Sequence, residues 1–577
     1  MRAQSIPEPT VADLAKQVAA PVRVQPPRAT AGGFVTRVVV ASVLFGLVLI
    51  LQWLGGAYRN EFAGYPDEGA HYVTGLMVRD YVAAHRLVSF RQFAENYYLH
   101  YPKVAIGHWP PFFYLVQAAW TLLFPVSRPS LLILMALITA VMAFLLYRAV
   151  EDQFGAIFGF SAALLLVAMP VVQSYSGMVM ADTLVGLLSL SAVLCFAKFV
   201  DTLKWKHAAW FGVLASATIL TKGTGVALAL VPPLVLLFTG RWSLLRRGAF
   251  WLPVAVVVPL CAPWYWLTRN MLPNTWEQPQ PGFGYILHAI RFYSRHSLHI
   301  MSVVLLVLAA LGFLVEMIIR PSRKVRSIWA ALAALLISTI LVALVVPAGL
   351  EERFLIPAIP AIIAFAMAGL EFVSTRALPQ AFGLQTRRLA ILLAVLLISF
   401  TTNFFVPRDV SFGFAPVAQY VLAQPELNKA VLLISSDVTG DSMFISELAM
   451  REARPGHYVL RGTKVLCDCS WLGDQQRVLY PTAEDLMGYL DHSPVQIVID
   501  DQSVPARSRL QFRHVLEDAI KQYPNQWTLL ATFPVVRDGI SYPNGVNLYR
   551  LSGTNPDAPV KIDLHRMLHE SIQLQPR

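Results

Sequence analysis

Long apolar runs, broken by short basic or aromatic-rich stretches, fill the first 407 positions of the chain. A run of about 17 to 25 apolar residues is the unit of a membrane helix, because that length crosses the hydrocarbon while every backbone group is satisfied within the segment. Such runs fall near 34–54, 129–149, 155–174, 183–200, 207–221, 224–239, 248–269, 298–319, 327–347, 354–372 and 389–406, which predicts about eleven spans. Beyond position 408 the pattern changes. Strand-like runs at 430–436, 458–465, 495–500, 527–533 and 546–551 alternate with helical stretches near 441–453, 482–491 and 507–523, the alternation of a small α/β domain with a largely parallel sheet. The expected organisation is a disordered cytoplasmic tail over 1–33, a transmembrane domain over 34–407 with a long outer loop at 55–128, and an extracytoplasmic α/β domain over 408–577.

Composition supports that division. Of 577 residues 56% are hydrophobic and 14% charged, against roughly 25% charged in ordinary soluble domains, so a single water-soluble globule is excluded. The first 407 residues hold 30 Lys+Arg against 16 Asp+Glu and the remainder 16 against 19, a basic membrane part followed by a mildly acidic one. Basic residues in short loops stay on the cytoplasmic side. With the N-terminus inside, the loops carrying Arg148, then Lys198, Lys204 and Lys206, then Arg241, Arg246 and Arg247, then Arg320 to Arg326, then Arg376, Arg387 and Arg388 all fall inside. Counting 110–124 as a further span would invert every later loop, so that segment is expected to lie as a helix in the outer interface. An odd number of spans then carries the C-terminal domain outside.

Four cysteines exclude a disulfide scaffold. Cys195 and Cys261 lie in apolar runs as packing residues, and Cys467 and Cys469, flanking Asp468, are spaced too closely to supply a zinc site alone.

The residues able to do chemistry gather on the outer side. The first outer loop contains Tyr65-Pro66-Asp67-Glu68-Gly69-Ala70-His71-Tyr72; adjacent acids point in different directions, so one can meet a substrate while the other holds the loop by ion pairing. Lys103 follows, then His108-Trp109-Pro110-Pro111, a Pro-Pro step that starts a helix well. Asp182 opens an apolar helix, where a carboxylate is also an ordinary helix-terminal residue. Thr221-Lys222-Gly223 places an ammonium between two spans, and Glu351-Glu352-Arg353-Phe354-Leu355-Ile356-Pro357 puts a guanidinium at the mouth of the next. In the C-terminal part Gly440-Asp441-Ser442 lacks the flanking glycines of a nucleophile elbow, and acceptor binding or partner contact suits that domain better than catalysis.

The order of these signals, an Asp-Glu pair in the first outer loop, a Pro-Pro interfacial helix, an Asp opening a later span, a Thr-Lys-Gly turn and an Arg-aromatic-Leu-Ile-Pro turn, resembles the GT-C class of membrane glycosyltransferases. It is most similar to the bacterial branch related to protein O-mannosyltransferases and the lipid A aminoarabinose transferase, over roughly 34–372. One departure stands out: those relatives usually carry a Lys directly before the Pro-Pro pair, where this chain has Trp109, with His108 and Lys103 nearby. The resemblance implies a polytopic α-helical membrane protein with interfacial helices, placed in a bacterial inner (plasma) membrane, that moves a sugar from a polyprenyl-phosphate donor to an acceptor hydroxyl on the extracytoplasmic face.

Chemistry fits that implication. A phosphate-linked sugar already carries its leaving group, so the reaction needs a base for the acceptor hydroxyl and cations for the phosphate. Asp67, Glu68 and Asp182 are the candidate catalytic acids, with Asp67 as base; Lys222, Arg353, Lys103 and His108 are the candidates for the donor phosphate. One displacement at C1 inverts the anomeric configuration. A divalent cation, Mg or Mn, is used by some members of the class, and no self-sufficient metal motif decides the matter. Expected partners are the lipid-linked donor, a lipid, glycan or protein acceptor and membrane lipids, with no nucleic acid. The rival readings are a lipid or sugar flippase or transporter, whose ionisable groups would sit near mid-membrane, and a non-catalytic membrane scaffold with a binding domain.

Overall fold

The computed structural model describes residues 31–84, 89–270, 281–319, 325–376, 383–408, 410–468, 477–505, 510–563 and 571–575; most of the expected N-terminal tail and Cys469 lie outside the described residues. The chain divides into an N-terminal unit that ends at Val40, described only for the start of the helix Ala31–Leu54, and one large unit, Ala41–Arg577.

This is a multi-pass membrane protein. Among the described residues seven helices are long and apolar enough to cross a membrane, and nine are if each of two bent pairs counts as one span. Two of the expected eleven spans are shorter pieces, Trp205–Ile219 and the 3-10 stretch Gly223–Leu230 that runs on into Val231–Thr239. The helices Ala156–Ala168 and Pro170–Ser176 meet at 65°. Pro170 lacks the N–H that would continue the ladder, and its ring crowds the preceding turn. The segment expected in the interface is the helix Phe112–Leu123, 12 residues that start directly after Pro111 and are too short to span. Gly312 and Gly369 face each other where Val303–Leu314 crosses Ile359–Arg376, and a Cβ on either would strike the opposite backbone, the close approach that small residues permit between membrane helices.

The C-terminal region carries a five-stranded sheet in the spatial order Tyr458–Arg461, Val431–Ser435, Val495–Asp501, Ile540–Leu551, Trp527–Arg537. The first three strands are parallel, but the last two form an antiparallel hairpin, and Ile540–Leu551 also pairs antiparallel with Val495–Asp501. The expectation of a largely parallel sheet is corrected here. The reason is local: Asp538 and Gly539 both have positive φ (51° and 77°), the conformation of the tight two-residue turns whose twist matches that of paired strands.

One continuous hydrophobic core joins this sheet to the outer loop, running from Phe62, Tyr72, Tyr97 and Phe113 to Leu433, Ile499 and Leu548. Polar contacts lock the same surface. Glu61 accepts the N–H groups of Gly413, Phe414 and Ala415 at 2.9, 2.7 and 3.1 Å, at the start of the helix Phe414–Ala423, where orphan donors favour an anion. Arg454 Nε donates to Asp80 at 2.6 Å. The outer-loop helices are therefore held between the membrane helices and the sheet.

Candidate active site

Each of four side chains anticipated to act together sits at the end of a helix. Pro66 begins the helix Pro66–Ala83, its fixed φ suiting that position, and Asp67 lies in the first turn. Asp182 is the first residue of Asp182–Thr202, Lys222 precedes Gly223–Leu230, and Arg353 lies in the short 3-10 stretch Glu352–Ala358 before Ile359–Arg376.

They converge. Lys222 Nζ donates to Asp182 Oδ1 at 2.6 Å, and Asp182 Oδ2 lies 3.8 Å from Arg353 Nη1. Arg353 Nη2 also donates to Asp67 Oδ2 at 3.3 Å and to Glu351 Oε1 at 2.9 Å. Aromatic faces complete the arrangement: the Tyr65 ring lies 4.3 Å and the Tyr175 ring 5.9 Å from the Arg353 guanidinium carbon, and Lys222 Nζ is 4.7 Å from the Phe354 ring, contacts that favour cations over ring faces. Tyr65 Oη donates to Glu351 Oε1 at 2.8 Å. Two cations thus stand among three carboxylates, with Asp182 almost buried and Asp67 and Lys222 partly accessible. Next to Phe354 opens a mostly apolar groove lined by Val185, Leu228, Leu335, Val342 and Pro357 among others.

The other three anticipated residues are set differently. Glu68, fully buried, turns to Arg128, whose Nε donates to its Oε1 at 2.8 Å, and accepts the Val179 N–H at 3.1 Å. Glu68 is thus turned toward Arg128 and away from the Asp67–Arg353 contact. Lys103 is buried and donates to the Val438 carbonyl at 2.7 Å. Burial, and then Arg461, pushes its ammonium down to about 7. Burial pushes the His108 imidazole down to about 4, against the pull of Asp67, so it is neutral near pH 7. Both groups feel the Asp67 carboxylate, and their part in holding a donor phosphate stays a proposal. The departure at Trp109 has a structural counterpart: its ring packs 4.3 Å from His71, whose Nδ1 lies 2.9 Å from Tyr114 Oη.

Sequence reading assigned no role to Glu351, Tyr65, Tyr175 or Phe354. Their signal was present: Tyr65 stands two residues before Asp67, Glu351 two before Arg353, and Phe354 directly after it. Among the described residues no group of three or more His, Cys, Asp or Glu side chains could hold a metal ion.

Residues 108–266, which include Asp182 and Lys222, match the family model described as dolichyl-phosphate-mannose-protein mannosyltransferase. No curated protein matches the chain by sequence. Among solved structures the chain is similar to ArnT from Cupriavidus metallidurans bound to undecaprenyl phosphate, at 16% identity and a TM-score of 0.54 over 92% of this chain and 100% of that one. It is also similar to the archaeal oligosaccharyltransferase AglB from Archaeoglobus fulgidus in complex with an inhibitory peptide and a dolichol-phosphate (14%, TM-score 0.51, 81% of this chain and 69% of that one). The arabinofuranosyltransferase AftD from Mycobacteria matches at 15% and 0.51 over 91% of this chain and 42% of its own. The resemblance to the GT-C glycosyltransferases carried by the outer-face residues is thus met twice, by the family model over residues 108–266 and by the GT-C fold over most of the chain.

Proposed function

We propose that this chain is a membrane glycosyltransferase that moves a sugar from a polyprenyl phosphate to an acceptor hydroxyl. The observation that carries the reading is the convergence of Lys222, Arg353, Asp182 and Asp67, beside an apolar groove whose lining includes Phe354, the ring that meets Lys222 Nζ. A lipid phosphate needs cations at a membrane boundary and an apolar channel beside them for its chain, and this place offers both. The relatives of like fold include one bound to undecaprenyl phosphate and one in complex with a dolichol-phosphate.

In this reading Lys222 and Arg353 hold the donor phosphate, the guanidinium by paired donors and the ammonium as a point charge. Arg353 binds Asp67 through one edge only, so a phosphate that takes up this edge releases the Asp67 carboxylate toward the acceptor. The acceptor oxygen then bonds to C1 of the sugar as the C1–O bond to phosphate breaks; its proton passes to Asp67, and the phosphate leaves with the bonding electrons. Attack opposite the leaving group inverts C1. Asp182, held by both cations, keeps them at fixed separation. The site faces the extracytoplasmic side of a bacterial inner membrane, the C-terminal domain lies on that side, and positive-inside loop charge supports this placement.

Mass spectrometry of lipid-linked sugars and envelope glycans, with and without the gene, tests the reading. Loss of one glycan modification with accumulation of its polyprenyl-phosphate sugar is the expected result. Identical lipid-linked and envelope profiles would count against it.

A further inference from the structure

A second, half-open cavity lies behind the tyrosine wall of the charged cluster. Gly64 and Ser174 line it, and the residues that follow them, Tyr65 and Tyr175, carry the rings that lie against Arg353. Its apolar side includes Leu51, in the last turn of the helix Ala31–Leu54, and Val406 and Pro407, shortly beyond the helix Leu384–Thr402. Both contributions come from ends of membrane helices, which puts the cavity at headgroup level.

Its polar side is made of amides and a hydroxyl, and no ionisable side chain lines it. Gln52 is fully engaged: its Nε2 donates to the carbonyls of Leu132 and Ser176 at 3.0 and 2.7 Å, and its Oε1 accepts from Tyr58 Oη at 2.7 Å. Gln173 is engaged on one side only. Its Nε2 donates to the Ala168 carbonyl at 2.7 Å, while its Oε1 is buried without a hydrogen-bond partner, in a residue 7% exposed. A buried acceptor in that state asks for an O–H or N–H from whatever fills the cavity.

The charges behind the wall are spent on holding its shape. Arg128 donates to the carbonyls of Ala57, Asn60 (2.9 Å) and Gly177 (3.3 Å), three residues of the lining, and its own charge is met by Glu68. The cavity is thereby braced by an ion pair and yet presents no net charge, which suits a neutral hydroxylated group and disfavours an anion that would lose its water against amides.

We propose that this cavity is the acceptor subsite, and that the acceptor is a membrane lipid with an uncharged, hydroxyl-bearing headgroup. One hydroxyl donates to Gln173 Oε1, and another reaches past Gly64 and Tyr65 to Asp67, where it becomes the attacking oxygen. The inference rests on the glycosyl-transfer reading, and it gives the Glu68–Arg128 pair a task as the brace of the acceptor wall.

The test uses the full-length protein in lipid nanodiscs with monoglucosyl diacylglycerol, phosphatidylglycerol, soluble methyl glucoside and undecaprenyl phosphate as probes, and native mass spectrometry of what is retained. Monoglucosyl diacylglycerol should be held about tenfold or more over phosphatidylglycerol, the scale of one satisfied buried hydrogen bond. Gln173→Leu should abolish most of that preference. Because the Gln173 amide also serves the break at Ala168, a second variant, Ser174→Phe, fills the cavity from a half-buried position and should weaken glycolipid retention to the same degree with undecaprenyl phosphate retained. Equal retention of phosphatidylglycerol, methyl glucoside bound as tightly as the lipid, or unchanged glycolipid retention in both variants would overturn the inference. Failure of the wild-type protein to retain undecaprenyl phosphate, with glycolipid retention intact, would count against the donor reading alone.

Discussion

Two clusters of acids and arginines lie within the large unit, and they are built differently. In the α/β region Asp437, Asp441 and Asp501 each take more than one donor. Asp437 caps the helix Val438–Arg451 through the N–H groups of Thr439 and Gly440 and takes Arg537 at 2.6 Å; Asp441 takes Arg461 at 2.7 Å and Thr463; Asp501 takes the N–H and hydroxyl of Ser503. Asp441 and Asp501 are completely buried. At the membrane boundary, by contrast, Asp67 has Arg353 at 3.3 Å, Asp182 shares two cations, and the group borders a groove. The difference teaches how to separate a structural ion-pair network from a working one. Charges that hold a fold are saturated by neighbours that cannot leave, whereas charges that handle a substrate keep partners that a ligand can replace.

The comparison can be broken most sharply at Asp67. Asp67→Asn should keep the fold and donor binding while turnover falls about 10² to 10⁴-fold, the usual contribution of a positioned general base; turnover of the purified variant in a transfer assay decides it. The opposite outcome is expected across the domain. Arg461→Ala leaves Asp441 as an uncompensated buried charge and should destabilise the protein by about 3 to 5 kcal/mol, read as thermal unfolding of the detergent-solubilised protein. A small change there would place the α/β cluster in the replaceable class.

A smaller effect links the two regions. Lys103 reaches from the outer loop to Val438 in the α/β region. Its ammonium is pushed down from 10.5 to about 7, by burial first and Arg461 second. Between those values the unfolded chain binds a proton that the folded chain does not, so this group makes stability rise with pH from about 7 to 10.5, and below 7 its penalty is complete. Lys103→Met should remove up to about 1.4 kcal/mol per pH unit of that slope, seen by comparing unfolding midpoints of the two proteins across pH 7 to 10. Parallel pH profiles would show that Lys103 does not titrate in the folded state.

Much of the site could be read in the sequence because its residues are tied to punctuation. Pro66 announces a helix start at Asp67, Pro357 breaks the helix entry at Arg353, and Thr221-Lys222-Gly223 marks a turn between apolar runs. Roles that depend on distant partners could not be read. Nothing local to Glu68 points to Arg128, which lies in another helix and draws Glu68 away from Asp67. Lys103 looked like a loop cation until packing of the loop buried it. The hairpin at Asp538-Gly539 was different, since its turn dipeptide stands in the sequence; the strand pattern of alternating helices outweighed it. Element order therefore came through, as did the parallel pairs, while the antiparallel pairing of Ile540–Leu551 did not.

The account turns on whether the boundary cluster is a phosphate site. Dissociation constants for undecaprenyl phosphate, measured on wild-type protein and on Arg353→Ala and Lys222→Ala in nanodiscs of fixed composition, test this most directly. Each variant removes one charge-assisted contact to the phosphate and should weaken binding about 10- to 100-fold. Unchanged affinity in both variants would contradict the account.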